Sequence, residues 1–248
     1  MSTPEIVFRR KAIEPTECLK SANALIKDKY WLFVGMCLVG LLVGSAVPLG
    51  ILMGPMMCGL YLTYFKKRRG ELIEFGDLFK GFDYFAQSVV ATLLHVIPIV
   101  IIVVPAYILF YVFFILSVAV QGDEPNPAAM FGMMGMFMLF YVLVVIVIMF
   151  VSIGFTFAYP LIVDRKMQAL DAVKLSFRAA MANFWRLFLM MILTGLLGFA
   201  GVLLCYVGVF LVLPISYAAI DVAYEQVFGL HNPNEPPSNL PPPPPVFS

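Results

Sequence analysis

Two carboxylates near the end of the last apolar segment have a spacing that suits a cation or proton site. Asp221 and Glu225 lie four residues apart, so a helix would place both on one face. Paired carboxylates can accept a cation or hold a proton. The same two residues also suit the point at which a membrane helix leaves the lipid, and we favour that second interpretation.

His95 is the one histidine that lies inside an apolar segment. A polar side chain in such a position is costly and is often functional. No carboxylate stands near it in the sequence, so we favour a hydrogen bond to a neighbouring helix over a proton-transfer role.

Methionines are concentrated between residues 129 and 139, in the run AMFGMMGMFML. Thioethers bind soft Cu(I), and the run is predicted to lie at the outer membrane face, where a copper importer would collect ions. Methionine is also a flexible filler in helix packing, and no cysteine or histidine stands near the run. We favour packing for all five, which are Met130, Met133, Met134, Met136 and Met138.

Enzyme signatures are absent from the sequence. It contains no HExxH, GxSxG or P-loop motif, and two histidines leave few carriers for acid–base catalysis. A net charge of +1 gives no sign of nucleic-acid binding. We predict a non-enzymatic protein without a cofactor or a nucleic-acid partner. Four cysteines without CxxC spacing are predicted to be reduced packing residues: Cys18, Cys37, Cys58 and Cys205.

The elements that position these residues are predicted to be membrane helices. The chain has 248 residues, of which 62% are hydrophobic, and its mean hydropathy of +0.94 is far above that of soluble domains. Four nearly uncharged segments cover residues 32–65, 86–120, 129–163 and 187–220. Each is longer than the roughly 20 residues that one helix needs to cross a bilayer, so each is a long helix or a hairpin of two.

Basic residues orient these segments, because Lys and Arg are retained on the cytoplasmic side of a membrane. All sixteen lie before Trp31, within 66–80, within 165–178, or at Arg186. The connection 121–128 has none of them. We therefore predict that this connection faces outward.

This orientation gives the number of crossings. The two segments that flank the outward connection cross once each, and Pro98 and Pro105 would kink the first of these two. The first apolar segment has basic residues at both ends and so crosses twice, with a turn at 44–50. For the last segment we likewise predict a hairpin, with its turn near 198–208. The sum is an all-α bundle of six membrane-crossing helices with both termini in the cytoplasm.

Amphipathic stretches are predicted to lie along the cytoplasmic surface. In 167–184, apolar residues recur every three or four positions and cations fall largely on the opposite side. The stretch 71–87 repeats this pattern, and 14–29 shows it more weakly. Such helices either dip their apolar face into the lipid boundary or pack on the protein itself. The residues predicted to anchor them at the headgroups are Trp31, Lys66, Arg68, Lys174, Arg178 and Trp185.

Local charge patterns on these stretches have ordinary structural explanations. Asp77 with Lys80, and Asp171 with Lys174, are predicted to form ion pairs between residues three apart. Asp164 is predicted to cap the following helix with its side-chain oxygen.

A two-copy internal repeat is predicted from residues that recur at one constant separation. The stretch that begins at Glu17 aligns with the one that begins at Asp171, and Ser21 then pairs with Ser176. Each copy is a surface helix followed by a hairpin, and both run in the same direction through the membrane. Small residues are predicted to let the arms of the first hairpin approach closely, namely Gly40, Gly44, Gly50 and Gly54.

Two stretches carry a recognisable set of motifs: ILMGPMMCGLYLTYFKKRRGELIEFGDLFKGF and YPLIVDRKMQALDAVKLSFRAAMANFWRLF. With them, residues 12–228 resemble a loosely related group of bacterial integral membrane proteins of unknown function, which includes the membrane domain attached to glycerophosphodiester phosphodiesterases. The resemblance implies a six-helix bundle in a bacterial cytoplasmic membrane. It does not imply phosphodiesterase activity, because that chemistry belongs to a separate soluble domain. The motifs are Gly54-Pro55, Gly70-Glu71, Asp77-Leu78-Phe79-x-Gly81-Phe82, Pro160-Leu161-Ile162-x-Asp164, and Ser176 with Phe184-Trp185.

Three parts of the chain are therefore predicted: a cytoplasmic segment with an interfacial helix (1–30), the transmembrane domain (31–228) and a disordered proline-rich tail (229–248), which offers a ligand for a protein partner. The favoured function is a scaffold or accessory subunit that binds partners or anionic lipid, with homo-oligomers as a further possibility. The alternative is a transporter or lipid-handling channel with a site between the two repeats. A polar cavity at the bilayer midplane would favour the alternative.

Overall fold

The computed structural model describes residues 8–120, 127–203 and 207–229, and these ranges contain helices and no strand. The predicted outward connection and the proline-rich tail lie largely outside the described residues, and so do Cys205 and its neighbours 204 and 206 in the predicted turn of the second hairpin. The helices are α1 Pro15–Ile26, α2 Tyr30–Ser45, α3 Met53–Arg68, α4 Phe85–Val120, α5 Pro127–Phe155, α6 Ala158–Arg165, α7 Ala169–Ala182, α8 Phe184–Leu203 and α9 Val207–Phe228, with a 3-10 helix at Phe75–Tyr84.

Within the part of the chain that the structure describes, four helical stretches are long and apolar enough to cross a membrane. They are Phe75–Ala119, Met130–Arg165, Phe184–Leu203 and Gly208–Phe228. Helices α2 and α3 have 16 residues each and so measure about 24 Å, shorter than the roughly 30 Å of a hydrocarbon core. The all-α class and the membrane character of the chain are thus supported, and the count of six crossings stays a prediction.

The fold divides into two compact units. One falls within Met1–Thr92 and Ile153–Ser248, and the other comprises Leu93–Ser152. In the first unit, α3 contacts α2, α6, α9 and the 3-10 helix, while α9 also contacts α1 and α8. Helices α3 and α9 therefore form the centre of this unit.

Buried aromatic residues join α2, α3 and α9. The rings of Phe33 and Tyr64 stack with centroids 4.7 Å apart. The hydroxyl of Tyr64 donates to the carbonyl of Pro214 at 2.8 Å, and the hydroxyl of Tyr30 donates to the carbonyl of Leu211 at 2.5 Å. Proline removes a backbone donor from α9, and these hydroxyls bond backbone acceptors in the same part of that helix.

The 3-10 helix lies against α3 with the two backbones in direct contact. A Cβ on Gly81 would lie 2.8 Å from the Cα of Gly59, and a Cβ on Gly59 would lie 2.6 Å from the carbonyl carbon of Leu78. Side-chain carbon atoms do not tolerate such distances, so both positions require glycine. This crossing was not predicted from the sequence.

The glycines of the first hairpin have different neighbours. A Cβ on Gly44 would lie 3.1 Å from the Cα of Met53, so the two arms meet near the turn. A Cβ on Gly54 would lie 2.5 Å from the carbonyl oxygen of Ser88, which places this glycine against α4 rather than against the other arm. Gly40 has only ordinary contacts.

Glycines also mark the turn of the first hairpin and the packing of the second. Gly50 lies in the turn with φ +62°, a conformation that suits glycine. In the second hairpin, a Cβ on Gly201 would lie 2.6 Å from the carbonyl carbon of Gly208, so α8 and α9 touch through their backbones.

The second unit is formed by parts of α4 and α5. The rings of Phe110 and Phe140 stack with centroids 4.4 Å apart, and Tyr107 meets Phe140 edge-on at 5.1 Å. His95 Nε2 and Ser152 Oγ lie 3.2 Å apart, so His95 has the interhelical hydrogen bond that we favoured. This seam holds the two helices together.

The order of elements agrees with two copies of a surface helix followed by a hairpin, but the paired residues have different surroundings. Ser21 is exposed, whereas Ser176 is fully buried. Gly40 contacts Met56, whereas a Cβ on Gly195 would meet nothing within 4 Å. The internal repeat is therefore not confirmed.

Candidate functional site: paired cations at one end of the bundle

Helix α3 ends in four consecutive cations, which we call the cation cluster: Lys66, Lys67, Arg68 and Arg69. Successive residues of an α-helix point about 100° apart, so the four side chains leave the helix in different directions. Each of them meets a carboxylate from a different segment of the chain.

The two lysines pair with carboxylates that lie 11 and 39 residues away in the chain. Lys66 Nζ lies 2.8 Å from Oδ1 of Asp77, and Lys80 Nζ lies 2.6 Å from the same oxygen, which confirms the predicted pair of Asp77 with Lys80. Lys67 bonds Asp28, and this hydrogen bond lowers the pKa of the Asp28 carboxyl. The lysines thus tie the 3-10 helix and the segment before α2 to the end of α3.

Arg68 pairs with the two carboxylates of α9. Its Nε and Nη2 donate to Oδ2 of Asp221 at 3.0 and 2.5 Å, and its Nη1 meets Glu225. Asp221 and Glu225 thus share one face of α9, as predicted, but they bond an arginine of α3 instead of only marking the end of a membrane helix.

Asp221 is completely buried, and its Oδ1 atom makes no hydrogen bond to the described residues. A buried carboxylate without its counter-charge is very unfavourable, so Arg68 is essential for keeping Asp221 in this position.

Arg69 pairs with Asp164 of α6, with 3.4 Å between Nη2 and Oδ1. The other oxygen of Asp164 accepts a hydrogen bond from the hydroxyl of Tyr224 at 2.8 Å. The prediction that Asp164 caps the following helix is wrong: Asp164 lies within α6, and the N-cap of α7 is Gln168, without a side-chain capping bond. Its carboxylate is needed instead to join three elements, α3, α6 and α9.

The N-terminal segment lies against the same end of the first unit. We call residues 9–14 the N-terminal strap. The side chain of Asn183 donates to the carbonyl of Arg9 at 3.1 Å and accepts from the amide of Ala12 at 3.1 Å. Arg186 donates to a carbonyl of the strap at 2.8 Å. The strap therefore occupies the polar side chains at the junction of α7 and α8.

Cys18 of α1 forms a hydrogen bond with the end of α9. Its thiol donates to Oε1 of Gln226 at 3.3 Å, and burial raises the pKa of the thiol to about 12. Cys37 and Cys58 are also free and buried, which agrees with the prediction of reduced packing cysteines for the three described residues.

Ser176 of α7 bridges the break between α5 and α6. Its hydroxyl donates to the carbonyl of Gly154 at 2.7 Å and accepts from the amide of Phe157 at 3.0 Å. Backbone groups at helix ends lack intrahelical partners, and Ser176 supplies one to each side of the break. The α5–α6 junction therefore depends on one hydroxyl.

We expect Ser176→Ala to lower the free energy of unfolding by about 1–3 kcal/mol, because it leaves a buried backbone amide unsatisfied. Ser21→Ala, at the exposed position that the repeat pairs with Ser176, is the matched control and should have no measurable effect. Thermal unfolding of the purified variants in detergent compares the two. Equal midpoints for the two variants would mean that the bridge adds nothing to stability.

The remaining predicted anchors lie on the surface of the first unit. Trp31 and Trp185 are 74% and 76% exposed, and Lys174 and Arg178 are exposed on α7. The described residues contain no ion pair between Asp171 and Lys174.

Helix α7 turns small side chains toward the protein and large ones outward, and the stretch around the 3-10 helix also leaves large apolar side chains exposed. In α7 the buried residues are Ala169, Ala172, Ser176, Ala179 and Ala180, while Leu170 and Phe177 are exposed. Around the 3-10 helix, the exposed apolar residues are Leu72, Phe75, Phe79, Phe82 and Phe85. The large apolar side chains are therefore free to contact something outside the chain.

Ligand chemistry at this end is limited by the pairing. The carboxylates that the sequence offered as cation ligands are held by arginine, and the described residues contain no group of three or more His, Cys, Asp or Glu side chains that would hold a metal ion. The ion pairs of the cation cluster join five elements, and they stabilise the fold rather than bind a ligand.

Comparison with known proteins gives one match. The model of a family described as "Protein of unknown function (DUF975)" matches residues 14–228, which is most of the chain. No curated protein and no solved structure matches it.

Proposed function

We propose that this chain, which belongs to the family of proteins of unknown function (DUF975), is a scaffold or accessory subunit of a bacterial cytoplasmic membrane. It crosses the membrane six times, with both termini and the cation cluster at the cytoplasmic face. It binds partner proteins or anionic lipid and catalyses no reaction. Kinship with the membrane domain attached to glycerophosphodiester phosphodiesterases belongs to the same proposal, without the hydrolase activity.

The position of the charged residues supports this orientation. The cation cluster contacts Asp28 before α2, Asp164 at the end of α6 and Asp221 near the end of α9, so the charged ends of these elements meet at one side of the first unit. The connection 121–128 has no Lys or Arg. That asymmetry is what the retention of cations in the cytoplasm produces.

We call α4 and α5 together the long hairpin, and its exposed apolar surface is the observation that carries the accessory role. We compare the buried share of the most apolar 18 residues in each span. This share is 6% in Phe75–Ala119 and 11% in Met130–Arg165, whereas it is 44% in Gly208–Phe228. Large apolar side chains therefore line α4 and α5 outside their aromatic seam. A span that contacts so little of its own chain has surface for a second membrane protein.

A transporter with a site between the repeats has less support. Between α2, α3 and α9 lies an apolar cavity of about 10 Å³, lined by residues such as Met36, Cys37 and Leu60. This volume holds one water molecule at most, too little for a substrate, and its walls are apolar apart from the Tyr217 hydroxyl and the Cys37 thiol.

Photo-crosslinking from the long hairpin tests the accessory role. We expect p-benzoylphenylalanine at Leu109, which is 71% exposed, to form an adduct with one defined membrane protein, or with a second copy of the chain, in native membranes. The same group at Phe110, which is 9% exposed and faces Phe140, is the matched control and should react only within the chain. Mass spectrometry of the adducts identifies the partner.

The adduct from Leu109 must also involve a protein that co-purifies with the unmodified chain in mild detergent. Adducts with lipid alone, from Leu109 and from other outward positions of the hairpin such as Leu116 and Leu139, would refute the accessory role.

A further inference from the structure

An open cleft lies at the elbow where α1 turns into α2. It has a volume of about 440 Å³, and its walls include Asn23, Lys27, Asp28, Lys29 and Trp31. We call it the elbow cleft.

The free polar groups of the elbow cleft are hydrogen-bond donors. Asn23, Lys27 and Trp31 all line the cleft, and none of their side chains forms a hydrogen bond with the described residues. An amide, an ammonium group and an indole N–H all donate. The cleft therefore offers three kinds of donor to one ligand.

The charged groups beside these donors are already engaged. Asp28, the one carboxylate in the wall, pairs with Lys67. Lys29 donates to the carbonyl of Ile73 at 3.3 Å and adds a second positive charge. The cleft is positively charged, and the carboxylate that would repel an anion is neutralised.

The elbow between α7 and α8 is the natural comparison, because it also ends in an exposed tryptophan, Trp185. There the polar side chains are occupied: Asn183 and Arg186 bond the backbone of the N-terminal strap. At the first elbow no segment among the described residues covers Asn23 and Lys27. The two tryptophans are about equally exposed. The polar side chains beside Trp185 are bonded to the strap, whereas Asn23 and Lys27 beside Trp31 form no hydrogen bond with the described residues.

We propose that the elbow cleft binds the phosphate of an anionic phospholipid. Lys27 and Asn23 bond the phosphate oxygens, and Trp31 packs against the glycerol and the first methylenes, the level at which tryptophan resides in membranes. An acyl chain then runs beside α2, where Leu42 is 67% exposed. The inference rests on the membrane placement in the proposed function and does not depend on a protein partner.

Native mass spectrometry of the purified, delipidated full chain tests this site. The chain is titrated with phosphatidylglycerol, with phosphatidylcholine and with inorganic phosphate. We expect the wild type to bind phosphatidylglycerol on the order of tenfold more tightly than phosphatidylcholine, since each nearby cation favours an anionic lipid. The double variant Asn23→Ala with Lys27→Ala should lose about this factor for phosphatidylglycerol and keep its affinity for phosphatidylcholine.

Two control variants keep the interpretation specific. Lys20→Ala removes an exposed cation of α1 outside the cleft, and Trp185→Ala removes the matched tryptophan of the other elbow. Both should bind phosphatidylglycerol as the wild type does, whereas Trp31→Ala should bind it more weakly. The thermal midpoint of every variant in detergent confirms that it is folded.

Each contrary result has a distinct meaning. Equal binding of phosphatidylglycerol by the wild type and the double variant would overturn the site, as would equal binding of the two lipids by the wild type. Displacement of phosphatidylglycerol by inorganic phosphate would assign the cleft to free phosphate and overturn the lipid. If the site fails while Leu109 still cross-links to a protein, the proposed accessory role stands.

Discussion

Gly59→Ala is expected to abolish the folded state or to lower its stability by several kcal/mol, a large part of the 5–15 kcal/mol typical of proteins. Gly59 lies within α3, where alanine usually stabilises a helix by about 0.5–1 kcal/mol relative to glycine. Here the sign reverses, because the new methyl group would overlap the carbonyl of Leu78 in the 3-10 helix. The backbones must separate, and the buried side of that helix loses its contacts.

Gly195→Ala is the control for this substitution. Gly195 also lies within a helix, α8, but a Cβ there would meet nothing within 4 Å. It should keep the thermal midpoint of the wild type or raise it slightly. Fluorescence-detected size-exclusion after heating compares both variants as fusions in detergent. A Gly59→Ala protein as stable as Gly195→Ala would show that the contact between α3 and the 3-10 helix is not as close as described.

Asp221→Ala is expected to lower the free energy of unfolding by about 3–5 kcal/mol, the usual effect of removing one partner from a buried ion pair. Asp221 is fully buried and accepts two N–H groups of Arg68, whose side chain is 14% exposed. Without this carboxylate, Arg68 keeps only the half-exposed Glu225, and the packing of α3 against α9 loses its polar contact.

A double variant separates charge from packing. Asp221→Leu combined with Arg68→Met removes both charges and should recover most of the lost stability, because two apolar side chains of similar size can replace a buried pair. Glu17→Ala breaks the exposed pair with Lys20 and should cost less than about 1 kcal/mol. If Asp221→Ala proved as mild as Glu17→Ala in thermal unfolding, the pair with Arg68 would be unimportant for the fold.

Sequence patterns predicted those features that depend on composition and local spacing. The length and apolarity of the segments indicated membrane helices, and the pair of Asp77 with Lys80 followed from residues three positions apart. The i,i+4 spacing of Asp221 and Glu225 correctly placed both on one face of α9. In each case the relevant neighbours lie within one or two helical turns.

Features that depend on contacts between distant segments were not predictable in this way. The spacing of Asp221 and Glu225 says nothing about Arg68, because that arginine lies 153 residues away in the chain. Gly59 and Gly81 do not stand in a GxxxG pattern, since the close approach joins an α-helix to a 3-10 helix. The sequence of the 3-10 helix predicts an amphipathic α-helix, but the segment forms a 3-10 helix where it packs on α3.

Ser176 is a residue that the sequence pattern identified without predicting its contacts. It was singled out because it aligns with Ser21 at a constant separation, and that alignment carried no information about its environment. The structure places it at a break between two helices, at Thr156 and Phe157, which Gly154 and Pro160 flank but which we did not predict from them.

The cation cluster has a consequence for biosynthesis. Lys67 meets an aspartate that precedes it by 39 residues, whereas the partners of Arg69 and Arg68 follow 95 and 153 residues later. While the ribosome is still making the second half of the chain, both arginines lack their final counter-ions and are available to hold the nascent hairpin by its charge. Under the proposed orientation, completion of α6 neutralises Arg69 and completion of α9 neutralises Arg68, so the same guanidinium groups would first direct insertion and afterwards stabilise the finished bundle.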